Sequence, residues 1–295
     1  MNVPVDMENK TTVTQSIPSD EIIVDIKNIV LLQESKVTEE TIEGQDESTI
    51  ATEDADSAES STEDENDNKL NLVQRSETFY KDARTYWKAI PATIDGMLGG
   101  YSNINVTDVR GSQDFLKDVF KMKPSPNKNV ALDCGAGIGR VTKHLLIPIF
   151  NTVDIVEQDE HFADSVRGYV GNTSKLGTIY NQGLQEFHPQ SMRYDVIWSQ
   201  WVLGHLTNDD FVKFFQRCSQ GLSKYGIIVV KENITSTDSV VIDEVDSSVT
   251  RPLQMIKALL AQSGLRIVKM VRQSNFPAAI FPVYMFALKP VKRSQ

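Results

Sequence analysis

The stretch Ala131–Arg140, ALDCGAGIGR, sets three glycines at alternate positions behind a short apolar run that ends in an acid. A strand feeding a glycine-rich turn and then a helix N-terminus makes a ligand site. The turn lets a ligand approach the backbone, and the first helical N–H groups stay free to donate. The dinucleotide fingerprint G-x-G-x-x-G is met only in part. Gly135 and Gly137 match, but Arg140 stands where the third glycine belongs, and a glycine arrives one residue early at Gly139. A cation in the first turn and Asp133 just before the loop argue against a pyrophosphate. They suit a ligand that carries both a carboxylate and a cationic centre.

The surrounding pattern supplies the elements such a loop needs. From about Ser76, ETFYKDARTYWKAI interleaves aromatics and charges at helical spacing up to Pro91, IDGMLGGY reads as a glycine-rich hinge or cap, and GSQDFLKDVFKM is a second helical pattern. Strands and helices then alternate. NVALDC, TVDIVEQD, GTIYNQG, YDVIWSQ and YGIIVVKEN read as strands, with helices predicted over IGRVTKHLLIPIF, HFADSVRGYVG and NDDFVKFFQRCSQGL. RPLQMIKALLAQSG is a further helix, and LRIVKMVRQ and PVYMFALKP follow as strands with no helix between them. This alternation predicts an α/β domain: a doubly wound, mostly parallel, Rossmann-like sheet of seven strands, with an antiparallel pair at one edge. Glu157 closes the second strand, about 20 residues past the loop, where a ribose-binding acid is expected. S-adenosylmethionine has the matching make-up, with an α-carboxylate for Arg140 and an ammonium for the loop carbonyls and Asp133.

Charge is unevenly spread. Of the net −10, residues 1–75 hold 19 Asp+Glu against 5 Lys+Arg, and residues 76–295 hold 21 against 25. The body, at +4, is too weakly basic to argue for nucleic-acid binding. The leader 1–75, rich in Glu, Asp, Ser and Thr, buries too little apolar surface to offset its ordering entropy and is expected to be disordered. Within it Glu21–Gln33 gathers eight Ile, Val and Leu residues, a candidate partner-binding segment too short to span a membrane. Two cysteines, Cys134 and Cys218, and four scattered histidines give no metal-ligand spacing and point to a reducing compartment. No signal-peptide order occurs, and KPVKRSQ is a weak basic tail, so cytoplasm and nucleus are the expected locations.

YWKAIPATIDGMLGGY, LDCGAGIGRVTK, YDVIWSQWVLGHLT, GIIVVKEN and DEVDSSVTR follow one another between Glu77 and Leu288. Together they resemble the eukaryotic protein α-N-terminal methyltransferases. That resemblance implies methyl transfer from S-adenosylmethionine to the α-amine of proteins beginning Xaa-Pro-Lys or Xaa-Pro-Arg after Met removal. It implies cofactor contacts from Gly135, Arg140, Glu157, Gln158, Asp159, Leu184, Gln185 and Gln200. Substrate contacts are implied for Trp87, Leu98, Gly99, Trp201, Asn233, Asp243, Asp246 and Ser248, with His205 or Asp246 as proton acceptor. Glu157 stands where the family carries an aspartate, and Phe281 where it carries a tyrosine. The acidic leader is not covered.

The chemistry fits these residue types. An α-amine has a reference pKa of about 7.7–8.0 against about 10.4 for lysine, so a modest base suffices. Trp201 offers a flat face for a proline or a cationic amine, and Asp243, Glu244 and Asp246 offer partners for a basic third residue. Two alternatives stand beside this reading: a small-molecule amine methyltransferase, and a catalytically silent binding module whose function lies in the leader.

Overall fold

In a computed structural model, residues 69–71, 73, 74 and 78–291 are described. The Glu21–Gln33 segment, most of the acidic leader and the tail after Val291 lie outside them. Among the described residues no helix is long and apolar enough to cross a membrane.

Two helices open the body: α1 (Phe79–Ala89) and the single turn α2 (Ile94–Met97), whose N-terminus is capped by Thr93 Oγ1 accepting from Gly96 N at 3.0 Å. The chain reverses at Gly99 and Gly100, both with positive φ, and enters α3 (Asn105–Val119). This helix begins earlier than the GSQDFLKDVFKM pattern predicts. Then follow β1 (Val130–Cys134), β2 (Thr152–Val156), α4 (Glu160–Val170), β3 (Leu176–Tyr180), β4 (Tyr194–Gln200), α5 (Asn208–Gly221) and β5 (Leu222–Asn233). A small hairpin of β6 (Val241–Asp243) and β7 (Ser248–Thr250) precedes α6 (Leu253–Gln262), β8 (Leu265–Arg272) and β9 (Val283–Pro290).

The seven long strands form one sheet in the order β3-β2-β1-β4-β5-β9-β8. Every pair from β3 to β5 is parallel, and β9 alone runs antiparallel to both its neighbours. The expected antiparallel pair is therefore present, but its second strand slots inside and leaves β8 at the edge. Alternation along each strand sorts side chains to two cores. Leu132, Cys134, Ile197, Ile228 and Val230 pack on the face covered by Phe211, Phe214, Phe215 and Leu260 of α5 and α6. Ala131, Val196, Trp198, Ile227 and Val229 pack on the face covered by Phe115, Leu116 and Val119 of α3.

The segment IGRVTKHLLIPIF is not the long helix its apolar spacing predicts. Helical turns cover only residues 140–146, widening to a π-type turn over Thr142–Leu146. Pro148 has no N–H to continue the ladder and ends it there. Residues 244–247 form the turn of the β6–β7 hairpin, with Asp243 and Ser248 paired at its base.

Candidate active site

The chain passes from β1 to β2 and β3 on one side, then returns to place β4 on the other side of β1. Loops at the carboxyl ends of β1 and β4 part at this reversal, which is where open α/β sheets take ligands. A cleft opens there. Gly135 and Gly137 line it at φ +68° and +56°, a left-handed region costly for side-chain-bearing residues, and a Cβ at Gly135 would strike Val202. The loop is fastened beneath: Gly135 N and Ala136 N donate to Val156 O at 2.8 and 3.1 Å.

Glu157 serves the same loop. Its Oε2 accepts from Gly137 N at 2.7 Å and its Oε1 from Asp159 N at 2.9 Å, while burial pushes its carboxyl up to about 7. Asp133 is likewise buried, accepts from Thr142 Oγ1 at 2.6 Å, and is pushed up to about 6 by desolvation. Both carboxylates line the cleft with Gln158, Leu184 and Gln185. Asp159 does not; its Oδ1 accepts from His161 N at 2.9 Å and caps α4.

Arg140 also lines the cleft, 4% exposed. One guanidinium nitrogen, Nη1, donates to Asp108 Oδ2 at 2.7 Å and to Asn105 Oδ1 at 2.9 Å. The Asp108 carboxylate faces Lys231 Nζ at 2.6 Å from its Oδ1 and accepts from Gln200 Nε2 at 2.9 and 3.0 Å. These cations hold Asp108 below the usual carboxylate range despite its burial. Asp108 and Lys231 are site residues that the sequence motifs missed. Lys231 left a signal, a lone charge inside the apolar strand GIIVVKEN; Asp108 left none, because it precedes the predicted helix.

On the other side of the cleft Trp201 leaves β4 at φ +53°, a conformation that bulky residues rarely take and that clusters at functional sites. Its indole lies 5.5 Å below the Arg140 guanidinium, and its Nε1–H is buried without a hydrogen-bond partner. The following turn, Leu203–His205, is clamped from below. Glu232 Oε1 accepts from Val202 N and Leu203 N at 2.8 Å each, and Arg251 donates to Leu203 O at 2.9 Å and Leu206 O at 2.6 Å.

This clamp fixes His205. Trp87 Nε1 donates to His205 Nε2 at 2.9 Å, and Nδ1 lies 3.4 Å from the Ser247 carbonyl, so the proton sits on Nδ1. Desolvation pulls the ring down to about 4, hence neutral near pH 7. Asp246 Oδ2 approaches His205 Nε2 at 4.0 Å. Its carboxyl is raised to about 7, first by desolvation and then by the charge of Asp243. Its second oxygen, Oδ1, is fully shielded and has no partner. Asp243 Oδ1 accepts from Val245 N at 2.8 Å and faces Ser248 across the hairpin.

The fold thus gathers Trp87, Gly135, Arg140, Glu157, Gln158, Leu184, Gln185, Gln200, Trp201 and His205 around one cleft, with Asp246 behind His205. Leu98, Gly99, Asp159, Asn233, Asp243, Asp246 and Ser248 are not among its lining residues; Met97 takes the place expected for its two neighbours in the helical cap. Phe281 is half-buried just ahead of β9. Among the described residues no cluster of His, Cys, Asp and Glu is arranged to hold a metal ion. The donor set does fit S-adenosylmethionine: a cation with N–H groups to spare, two buried carboxylates, and apolar Val156 and Leu184 beside Gln185.

A family model described as AdoMet dependent proline di-methyltransferase matches residues 75–289. Alpha N-terminal protein methyltransferase 1 of Drosophila melanogaster is 51% identical over 219 residues, covering 73% of this chain and 78% of that protein. N-terminal Xaa-Pro-Lys N-methyltransferase 1 of Xenopus tropicalis is 47% identical over 222 residues, 74% of this chain and 98% of that protein. Among solved structures, a SAM-dependent methyltransferase of Leishmania major superposes with a TM-score of 0.71 at 34% identity, over 76% of this chain and 91% of that one.

Proposed function

We propose a function from one premise: the chain belongs to the family of AdoMet-dependent proline di-methyltransferases. It is an S-adenosylmethionine-dependent methyltransferase acting on the α-amine of protein N-termini. The sequences it takes are those beginning Xaa-Pro-Lys or Xaa-Pro-Arg once Met is removed. One observation carries the acceptor reading: a buried N–H on Trp201 and a buried carboxylate oxygen on Asp246, both without partners, flank the His205 turn. Buried polar atoms left unpaired are costly. A peptide N-terminus brings an amine to donate to Asp246 and a carbonyl to accept from Trp201.

When bound, S-adenosylmethionine supplies the methyl group on a sulfonium. Arg140 would hold its carboxylate and Asp133 its ammonium, Glu157 would take the ribose hydroxyls, and Leu184 and Gln185 would flank the adenine. Asp246, raised to about 7, is closely matched to an α-amine of about 7.7–8.0 and takes its proton. His205 is the weaker base, because its Nε2 lone pair is already given to Trp87 and burial keeps it neutral. It fixes the wall against which the amine lies. Trp87 and Trp201 enclose the proline, and Asp243 meets the basic third residue. Holding nitrogen and methyl in line supplies most of the rate. A small-molecule acceptor leaves the hairpin carboxylates without a role, and a silent module leaves the raised Asp246 without one.

The test is mass spectrometry of an Xaa-Pro-Lys peptide incubated with protein and cofactor, beside the same peptide acetylated at its N-terminus. Methylation of the free peptide alone is expected. A free peptide left unmodified, or methyl groups found on the lysine side chain, would overturn the reading.

A further inference from the structure

Lys231 is wholly buried on a central strand, where a charge is expensive to keep. Its backbone carbonyl accepts from Trp201 N at 3.1 Å, but its ammonium touches no residue that lines the cleft. Its Nζ lies 2.6 Å from Asp108 Oδ1 and donates to Asp108 O at 3.0 Å, Ser112 Oγ at 3.0 Å and Gln273 Oε1 at 2.9 Å. A buried ion cluster exchanged as a whole for well-packed apolar residues often loses little or no stability, so stability alone does not account for a cation at this place. The cation therefore calls for a further explanation.

A carboxylate beside a guanidinium tends to pair with it bidentately, two oxygens to two N–H groups. Asp108 does not. It gives Arg140 one oxygen, Oδ2, and only Nη1 of the arginine is engaged with it. The other oxygen is held by Lys231, and Gln200 Nε2 bridges both. The charges also sum suggestively: one carboxylate and two cations leave a net positive charge whose outlet to the cleft is Arg140. Asp133, the other acid acting on Arg140, is tied to Thr142.

We infer that Lys231 is a positioning residue for the cofactor: by occupying Asp108 Oδ1 it keeps the outer N–H groups of Arg140 free for the cofactor carboxylate. Without Lys231, Asp108 closes on Arg140 with both oxygens and competes with the ligand it now helps to bind. This deepens the assignment of Arg140 to the cofactor carboxylate and rests on it.

The test measures binding, not turnover. Titration calorimetry compares S-adenosylhomocysteine with its decarboxylated analogue, 5′-(3-aminopropylthio)-5′-deoxyadenosine. The unsubstituted protein is expected to prefer the carboxylated ligand by roughly tenfold or more. Lys231→Met should cut that preference to within about threefold while moving the analogue's affinity by no more than about threefold. Adding Asp108→Asn removes the competing carboxylate, so the double variant should regain the preference. A merely structural role predicts otherwise: both ligands would weaken together in Lys231→Met, and the second substitution would not restore either. That result, or an unchanged preference in Lys231→Met, overturns the inference. If the single variant does not fold, the double variant decides, its preference supporting the inference and the loss of it refuting it. A missing preference in the unsubstituted protein defeats the assignment of Arg140 as well, whereas methylation of a peptide is scored independently.

Discussion

Asp108 and Asp246 are both carboxylates withdrawn from water beside the same cleft, and the fold treats them in opposite ways. Asp108 has Arg140, Lys231 and Gln200 on its two oxygens and stays ionised. Asp246 has a neutral histidine at 4.0 Å, the repelling charge of Asp243, hydrogen bonds from Ser248 that only partly offset its burial, and one oxygen, Oδ1, without a partner. The first is saturated and orders what surrounds it. The second is left poised, with a proton affinity near that of the amine it serves. Burial alone therefore says little about a carboxylate's task; the partners provided for it say most.

The comparison can be broken most severely at Asp246. Asp246→Asn should lower kcat by about a hundred- to ten-thousandfold, the usual span for a positioned base, in steady-state assays with an Xaa-Pro-Lys peptide. The fold should not suffer. A carboxyl raised from 3.8 to about 7 favours the folded state fully below about 3.8 and loses that advantage as pH rises through about 7. Above that pH the native protein bears a burial penalty that Asn removes, so thermal melts at pH 8 should show an unchanged or higher Tm.

Asp108→Ala should show the converse. Removing one partner of a buried cluster leaves two cations uncompensated, at about 3–5 kcal/mol of stability in denaturant titration. Retained stability would mean that Asp108 is not the keystone its contacts imply. Arg140→Ala comes next, weakening S-adenosylhomocysteine by roughly 1.5–3 kcal/mol in calorimetry through the loss of charge-assisted hydrogen bonds.

The pH profile sharpens the contrast. The acidic limb of kcat/KM should bend near pH 7 as Asp246 ionises, and the limb should flatten in Asp246→Asn. A bend near 4 instead would hand the proton to His205. The smallest effect belongs to Asp243→Asn, worth about 0–1 kcal/mol in KM for a peptide with lysine third and nothing for one with glutamine third. An equal loss for both peptides would place recognition of the third residue elsewhere.

Much of this was legible from residue order. Alternation of apolar runs with amphipathic helices is a local pattern, and it foretold the parallel sheet and the place of the glycine loop. The π-type turn at Thr142–Leu146 was not legible, because the apolar spacing continues through Pro148 although the hydrogen bonding does not. The Asp108–Lys231 contact was hidden for a different reason: its members lie 123 residues apart and meet only once α3 covers the sheet. Likewise, His205 stood out as a base by its residue type, and only the indole of Trp87 on its lone pair shows why Asp246 is better suited.

The threading of β9 between β5 and β8 carries a consequence for the order in which the molecule can be completed. On the ribosome β8 emerges before β9, yet its place in the sheet does not exist until β9 has paired with β5. Until then β5 shows an open edge, and the edge includes Lys231, which pairs with Met285 of β9, and Asn233, which pairs with Val283. Gln273, whose side chain receives Lys231, is in turn held by Val283. The charge cluster behind Arg140 is thus sealed by the last of the described strands to be synthesised, so a nascent chain halted before Val283 carries the glycine loop but not the finished seat for its ligand.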